Sequence, residues 1–425
     1  MGMAMVGQRR SERHLDGSRG TRGSLGVRSA DVLIAGAGPG GAAAALRLAR
    51  AGVRVLMVDR ATFPRDKACS EYMSPEGARH LSALGVLEAV EEQGGRQILG
   101  TTVHAPRGSS LTGLFARAGH AAFRASGLSV SRRLLDGALV EAAQRAGATI
   151  LEGVTAIGVV RDGAAVGGLV VRDRDGAVRE LRAPITVGAD GLRSVVAREI
   201  GSRRPARLRR YAFVAHLSGV AGLGQTAELH VSARGYIGIN PLGGGLANVA
   251  LVVPHTEVEP SKGRAEPFFF ERLGRFSGIG ERLRSAIIER EVMVTGPFDA
   301  WSRRVTAPGA LLLGDAADFF DPFTGEGICA AFRGAELAEP LIRAALERPG
   351  TGALAEYARR RRAAFLGKWV IERAIGYAML APGFFDRSVA RLERRGLAHT
   401  LIGVTGDFVP PRAVLNPVFL SQVVF

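Results

Sequence analysis

Val32-Leu33-Ile34-Ala35-Gly36-Ala37-Gly38-Pro39-Gly40-Gly41 decides the fold of this chain. Four apolar residues suit a strand buried on both faces, and a G-x-G-x-x-G turn follows at once. Gly36 makes the tight turn, Gly38 lets the backbone approach a pyrophosphate, and Gly41 lets a helix pack closely on the strand. The helix beginning near Gly40 points its positive end at the phosphates. Asp59 closes the next buried strand, Val53–Val58, 59 − 36 = 23 residues after Gly36. A carboxylate at that position accepts hydrogen bonds from ribose hydroxyls.

A second glycine-rich loop lies far downstream. Leu311-Leu312-Leu313 runs into Gly314-Asp315, and Pro322-Phe323-Thr324-Gly325-Glu326-Gly327 follows. The simplest layout is α/β, with mixed α+β character. A Rossmann-like domain is interrupted by an antiparallel-sheet domain and completed from the far end, where strand Ala310–Leu313 returns to the first sheet.

The expected boundaries are a disordered leader at 1–30, a nucleotide domain at 31–204 and 296–350, a substrate-binding sheet at 205–295, and a helical region at 351–425. Within them, Ala42–Ala51 reads as a helix closed by Gly52. A helical pattern runs over Pro75–Gln93, and another helix over Leu134–Ala146. Arg174-Asp175-Gly176 signals a hairpin. Runs such as Tyr211–His216, Ala227–Val231 and Leu246–Val253 alternate like antiparallel strands with one covered face. A helix is expected from Gly327 to Leu346.

At 425 residues the chain suits two interlocked domains. Net charge is +16, and Lys67, Lys262 and Lys368 are the only lysines among 56 Lys+Arg. The arginines are spread along the chain, as genomic composition would leave them. With no reader module or aromatic platform, nucleic-acid binding is excluded as an expectation. Attraction to an anionic membrane surface or an acidic cofactor fits the charge better. Cys69 and Cys329 form no CxxC, and eight scattered histidines offer no HExxH, so neither metal nor disulfide is expected. The twin arginines at 9–10 precede no apolar core, and no run reaches the ~18–20 apolar residues of a membrane span. A cytoplasmic location is expected.

Asp59–Ser70 with its Lys67-Ala68-Cys69, Arg132-x-x-Leu135-Asp136, Gly188-Ala189-Asp190-Gly191 and the Gly314-Asp315 loop occur in that order. Together they resemble the para-hydroxybenzoate hydroxylase-like FAD oxidoreductases, nearest the branch of geranylgeranyl reductases and related monooxygenases. The resemblance spans about residues 31–345. It implies FAD as cofactor and NAD(P)H as a visiting reductant. It also implies that Gly36, Gly38, Gly41, Asp59, Arg60, Arg132, Asp190, Asp315, Gly325, Gly327 and Ile328 contact FAD. Asp315 would accept hydroxyl hydrogen bonds on the ribitol or pyrophosphate side. Gly325, Gly327 and Ile328 would offer backbone N–H groups beside the flavin pyrimidine edge. The usual Cys-Gly of the family is Cys69-Ser70 here.

Other residues keep two readings. Cys69 is either a thiol activated by Lys67 and Arg65 or a packing residue of a cofactor-lining loop. Cys329 reads as core. His216, Tyr211 and Tyr236 are either substrate-wall or structural residues, and no catalytic base is assigned. Arg359–Arg362 with Phe365, Leu366, Trp369, Val370 and Ile371 is either a membrane-surface helix drawing in a greasy substrate or a solvated helix face.

The first functional expectation is a monooxygenase that hydroxylates a lipophilic or polyketide-derived phenol or quinol with NAD(P)H and O2. The alternatives are a reductase of isoprenoid double bonds and a flavin-binding redox partner without turnover. Gly235–Pro241, followed by Gly243 and Asn248, holds only part of the reductases' Tyr-x-Trp-x-Phe-Pro-like element, because Tyr236 matches but the Trp is absent. The halogenases' paired tryptophans are absent as well.

Overall fold

Val32–Ala35, the strand before the first glycine loop, lies inside a six-stranded sheet. The computed structural model describes residues 29–205, 208–298 and 300–424, so most of the expected leader at 1–30 lies outside the described residues. The strand pairs in parallel with Val55–Asp59 on one side and Ile185–Gly188 on the other. Thr149–Glu152 extends the sheet beyond Val55–Asp59. Ala310–Leu312 extends it beyond Ile185–Gly188, so the late strand does return to the first sheet.

Period-two alternation sends the two halves of this sheet into different layers. Val32 and Ile34 pack with helices Pro39–Arg50, Arg132–Arg145 and Gly327–Glu347. Leu33 and Ala35 pack against the antiparallel strands Thr155–Asp162, Ala165–Arg172 and Val178–Arg182. All four residues of the first strand are fully buried. Each large apolar side chain so placed is worth about 1.5–3 kcal/mol. The Arg174–Gly176 turn joins the last two antiparallel strands, as its sequence signals. The pattern at 75–93 divides into helices Pro75–Ala83 and Leu87–Glu92 because Gly85, at φ +65°, ends the first of them.

A seven-stranded sheet forms the second body, in the order Ile287–Thr295, Arg210–Ser218, Ala247–Pro254, Gly235–Pro241, Thr226–Ser232, Gly100–His104, Ser110–Leu114. It is antiparallel except where Thr226–Ser232 runs parallel to Gly100–His104. The last two strands come from outside the span 205–295. The expectation of one covered face is corrected. Phe213, Ala215 and Leu217 pack on helix Ala265–Leu273, while Ala212 and Val214 face the C-terminal helices. Strand Ala247–Pro254 is accordingly apolar and buried at nearly every position. Helices Ala353–Ala378, Pro382–Arg394 and Ala398–Thr405 make up the C-terminal layer. Tyr357 ties that layer to the first sheet by donating its hydroxyl to the Leu312 carbonyl at 3.0 Å.

Glu71 joins the two bodies. It is wholly buried at φ +59°. Oε1 accepts the Arg132 backbone N–H at 2.8 Å and an Arg290 N–H at 3.3 Å. Oε2 lies 2.6 Å from His216 Nε2 and accepts Asn248 Nδ2 at 2.9 Å. Burial alone would raise its pKa, but the bond to His216, the Arg132 amide and the Arg290 charge together hold it below the ordinary value of 4.5. A depressed carboxyl pKa stabilises the fold above its unfolded value and loses that contribution as pH falls through the folded one. Glu71→Gln should therefore lose about 3 kcal/mol in urea unfolding at neutral pH. The wild type should weaken more steeply than the variant as pH drops below 4.5.

Candidate cofactor and substrate site

Helix Pro39–Arg50 starts with a proline, which lacks an N–H, and its N-cap Gly38 supplies no side-chain bond. The next amides are left for an external acceptor. The glycines around them differ in their reasons. A Cβ on Gly36, at φ +91°, would lie 2.5 Å from the Ala189 carbonyl oxygen, and one on Gly41 would lie 1.9 Å from the Gly36 oxygen. Protein packing requires both. A Cβ on Gly38 would meet nothing nearer than an Arg132 nitrogen at 3.6 Å and an Arg65 nitrogen at 3.7 Å. The protein does not demand glycine there. The space it leaves lies beneath two guanidinium groups, as an approaching pyrophosphate requires.

Arg132 opens helix Arg132–Arg145 and is buried rather than solvated. It makes a two-pronged bond to Asp136 at 2.8 and 2.7 Å, one turn along the helix. Burial would lower its pKa, but Asp136 outweighs that and keeps it firmly charged. Arg65 joins the same carboxylate at 2.8 Å. The pair is thus pre-positioned with one neutralising partner and a net positive face.

At the second loop, Gly325 sits at φ +71°, and a Cβ there would strike Tyr72 at 2.6 Å. A Cβ on Gly327 would find only atoms at 3.8 Å, so this glycine also borders free space. Asp315 is half-buried beside Lys67, Arg132 and Arg203. Burial raises its pKa while the three cations oppose the rise. Burial, with Arg132, also lowers the pKa of Lys67, whose role the sequence leaves open.

Both loops open on one cavity. Gly38, Arg132, Asp315, Gly325, Gly327 and Ile328 all line it. Gly36 and Gly41 are packed behind it, and three other expected contacts lie elsewhere. The Asp59 oxygens accept the Ala37 and Ala61 amides, both at 2.9 Å, which ties the second strand to the glycine turn. Arg60 is exposed. Asp190 caps the next helical turn through Ser194 Oγ at 2.5 Å and Val195 N at 2.6 Å, leaving Ala189 and Gly191 on the cavity wall.

Past the loops, the cavity runs between the seven-stranded sheet and helix Ala353–Ala378, where Ala212, Val214, Val252, Phe298 and Trp369 give it apolar walls. Tyr236 lines it too, but its hydroxyl is bound to Asp321 at 2.5 Å, and burial lifts its pKa well above 10. His216 is held by Glu71, and Tyr211 stacks on His255 with ring centres 5.7 Å apart. Cys69 lines the cavity, with its sulfur accepting the Glu71 amide at 3.4 Å. Cys329 is core, and both cysteines are free.

Sequence reading passed over two groupings. Glu326 and Lys368 are buried on the cavity wall, beside half-buried Glu372. Their signal was the scarcity of lysine, two of three lysines being at this cavity. Register also brings His104, Glu228 and His230 together, against the expectation of no metal-ligating cluster. Arg282 grips both Glu228 oxygens there, at 2.6 and 2.9 Å, so this carboxylate is already engaged in an ion pair.

The described residues include no helix long and apolar enough to cross a membrane. The family model of the FAD binding domain matches residues 29–370. Menaquinone reductase of Mycobacterium tuberculosis is 31% identical over 335 residues, covering 74% of this chain and 76% of that protein. Digeranylgeranylglycerophospholipid reductase 2 of Methanopyrus kandleri is 31% identical over 382 residues, covering 87% and 90%. A flavoprotein/dehydrogenase from Cytophaga hutchinsonii superposes with a TM-score of 0.80 at 21% identity, covering 93% of this chain and 96% of that one, which speaks for the fold alone.

The open space over Gly38 gives a direct test. Gly38→Ala should keep the unfolding midpoint of the flavin-free chain, while FAD affinity falls tenfold or more. Gly41→Ala should lose folded protein outright. Calorimetry with FAD and urea melts read the two effects separately.

Proposed function

Because the chain belongs to the FAD binding domain family and is an FAD-dependent oxidoreductase of the para-hydroxybenzoate hydroxylase-like group, we propose that it saturates carbon–carbon double bonds in an isoprenoid chain. The observation that carries this reading is the cavity that continues from the glycine loops into an apolar slot walled by the sheet and Trp369. Such a slot buries a hydrocarbon along its apolar wall, with Lys368, Glu372 and Arg373 gathered on the helix side. The reductase names of the relatives above support it over hydroxylation, the first expectation from sequence.

When bound and reduced, FAD supplies the hydride. The protein's part is to hold the double bond, exclude water and provide a proton for the second carbon. Glu326 is suited to hold that proton. Burial raises its carboxyl to about 7, against the opposing charge of Lys368 and hydrogen bonds from Cys329 and Ser74. Its Oε1 has no hydrogen-bond partner among the described residues. NAD(P)H would reduce the cofactor as a visitor, since the sequence carries one dinucleotide loop.

Exposed Leu366, Val370, Tyr377 and Leu380 lie on or just beyond the helix that carries Trp369. Arg359 and Arg360 on the same helix share the single carboxylate of Glu356 and keep a net positive charge that would favour an anionic lipid surface. A lipid substrate would then reach the slot without crossing water.

Holoenzyme incubated anaerobically with NADPH and a prenylated naphthoquinone, or with a geranylgeranyl glycerophospholipid, should give products heavier by two hydrogens per reduced bond. Oxygen-18 in the product under labelled dioxygen, with no reduction under argon, would overturn the assignment in favour of hydroxylation.

A further inference from the structure

Lys368 lies on helix Ala353–Ala378, nearly three turns before its end, with Phe365, Trp369 and Glu372 around it on the cavity wall. It is only 4% exposed, and its Nζ has no hydrogen-bond partner among the described residues. An ammonium carries three donors, and leaving them buried and unmet is costly. Neighbouring acids do not fill them. Arg333 holds both oxygens of Asp407 at 2.6 Å. Glu372 accepts Thr324 Oγ1 at 3.5 Å, and Glu326 accepts Ser74 Oγ at 3.3 Å. The charge nevertheless persists, since Asp407, Glu372 and Glu326 outweigh the desolvation that would lower the Lys368 pKa.

We propose that Lys368 recognises a ring carbonyl oxygen of the substrate, so that the slot takes a quinone-type head group rather than a phosphate. Three observations choose the carbonyl. Glu326 and Glu372, whose carboxyls burial lifts to about 7, flank the ammonium and leave little net positive charge to hold a phosphate dianion, whereas a neutral carbonyl only accepts a hydrogen bond. A guanidinium grips phosphate with two parallel bonds, whereas a lysine ammonium is a single-point donor. In a chain with three lysines among 56 basic residues, this position holds the single-point donor. Phe365 is buried beneath Arg333 and Arg361, so half-buried Trp369 on the cavity wall is the ring that can border a planar head group. The inference rests on the reductase reading and refines its substrate class.

Equilibrium binding tests it without turnover. Holoenzyme is titrated calorimetrically with 2-methyl-1,4-naphthoquinone, with 2-methylnaphthalene, which lacks the carbonyls, and with inorganic pyrophosphate. Lys368→Met should weaken the naphthoquinone by about tenfold or more, the value of one charge-assisted hydrogen bond. It should leave 2-methylnaphthalene unchanged, and Lys368→Arg should restore part of the loss. Equal naphthoquinone affinity in wild type and Lys368→Met overturns the proposal, as does an equal loss for 2-methylnaphthalene. Pyrophosphate binding that is tighter and depends on Lys368 overturns it in favour of a phosphate head. If Lys368→Met does not fold with its FAD, Lys368→Gln decides by the same criteria. A carbonyl-selective site in an enzyme that reduces no prenyl chain would refute the reductase reading alone.

Discussion

The buried Glu71 carboxylate is the constraint on which the rest of the structure depends. A charge taken fully out of water is tolerable only where several donors converge on it. The four donors here come from the start of the Arg132 helix and from three strands of the seven-stranded sheet. Around it, Asn240 Nδ2 reaches the Ser70 and Glu71 carbonyls at 3.1 Å, and Asn248 Nδ2 reaches that of Cys69 at 2.8 Å. The 67–72 loop is thereby pinned between the two bodies. Lys67, Cys69, Ser70 and Tyr72 all line the cavity, so its shape follows from this one cluster of bonds.

From that pin the chemistry divides along the cavity. One end is built from backbone and fixed positive charge: helix starts without side-chain caps, a guanidinium pair sharing Asp136, and glycines with free space over them. Such groups suit an anion that stays. The other end sets an apolar and aromatic wall of Ala212, Val214, Val252, Phe298 and Trp369 against Lys368, Glu372 and Arg373, and suits a hydrocarbon that comes and goes. Glu326 stands where the two meet, one residue before the helix that borders the cofactor end and facing the Lys368 wall.

What the sequence made legible was local. The strand–turn–helix at 32–50, the return of Ala310–Leu312 to the first sheet, and the helix from Gly327 each follow from a contiguous pattern. Arg132 was legible through its motif. Glu71 was not, because its side-chain partners lie 61 to 219 residues away and nothing in its neighbours announces them. Asp59 and Asp190 were read as cofactor ligands by position; Asp59 accepts the Ala37 and Ala61 amides, and Asp190 accepts Ser194 Oγ and the Val195 amide. The second covered face of the seven-stranded sheet escaped notice because helices more than a hundred residues downstream cover it. Lys368 sat in an arginine-rich helix that reads as surface, and only its identity set it apart.

The central claim is that the two glycine loops and the pinned 67–72 loop hold one FAD along its length. It is tested most directly by denaturing the purified chain and quantifying the flavin released. The account predicts one FAD per chain, or stoichiometric uptake when FAD is added to flavin-free protein. A chain that carries no flavin and binds none on addition would contradict it.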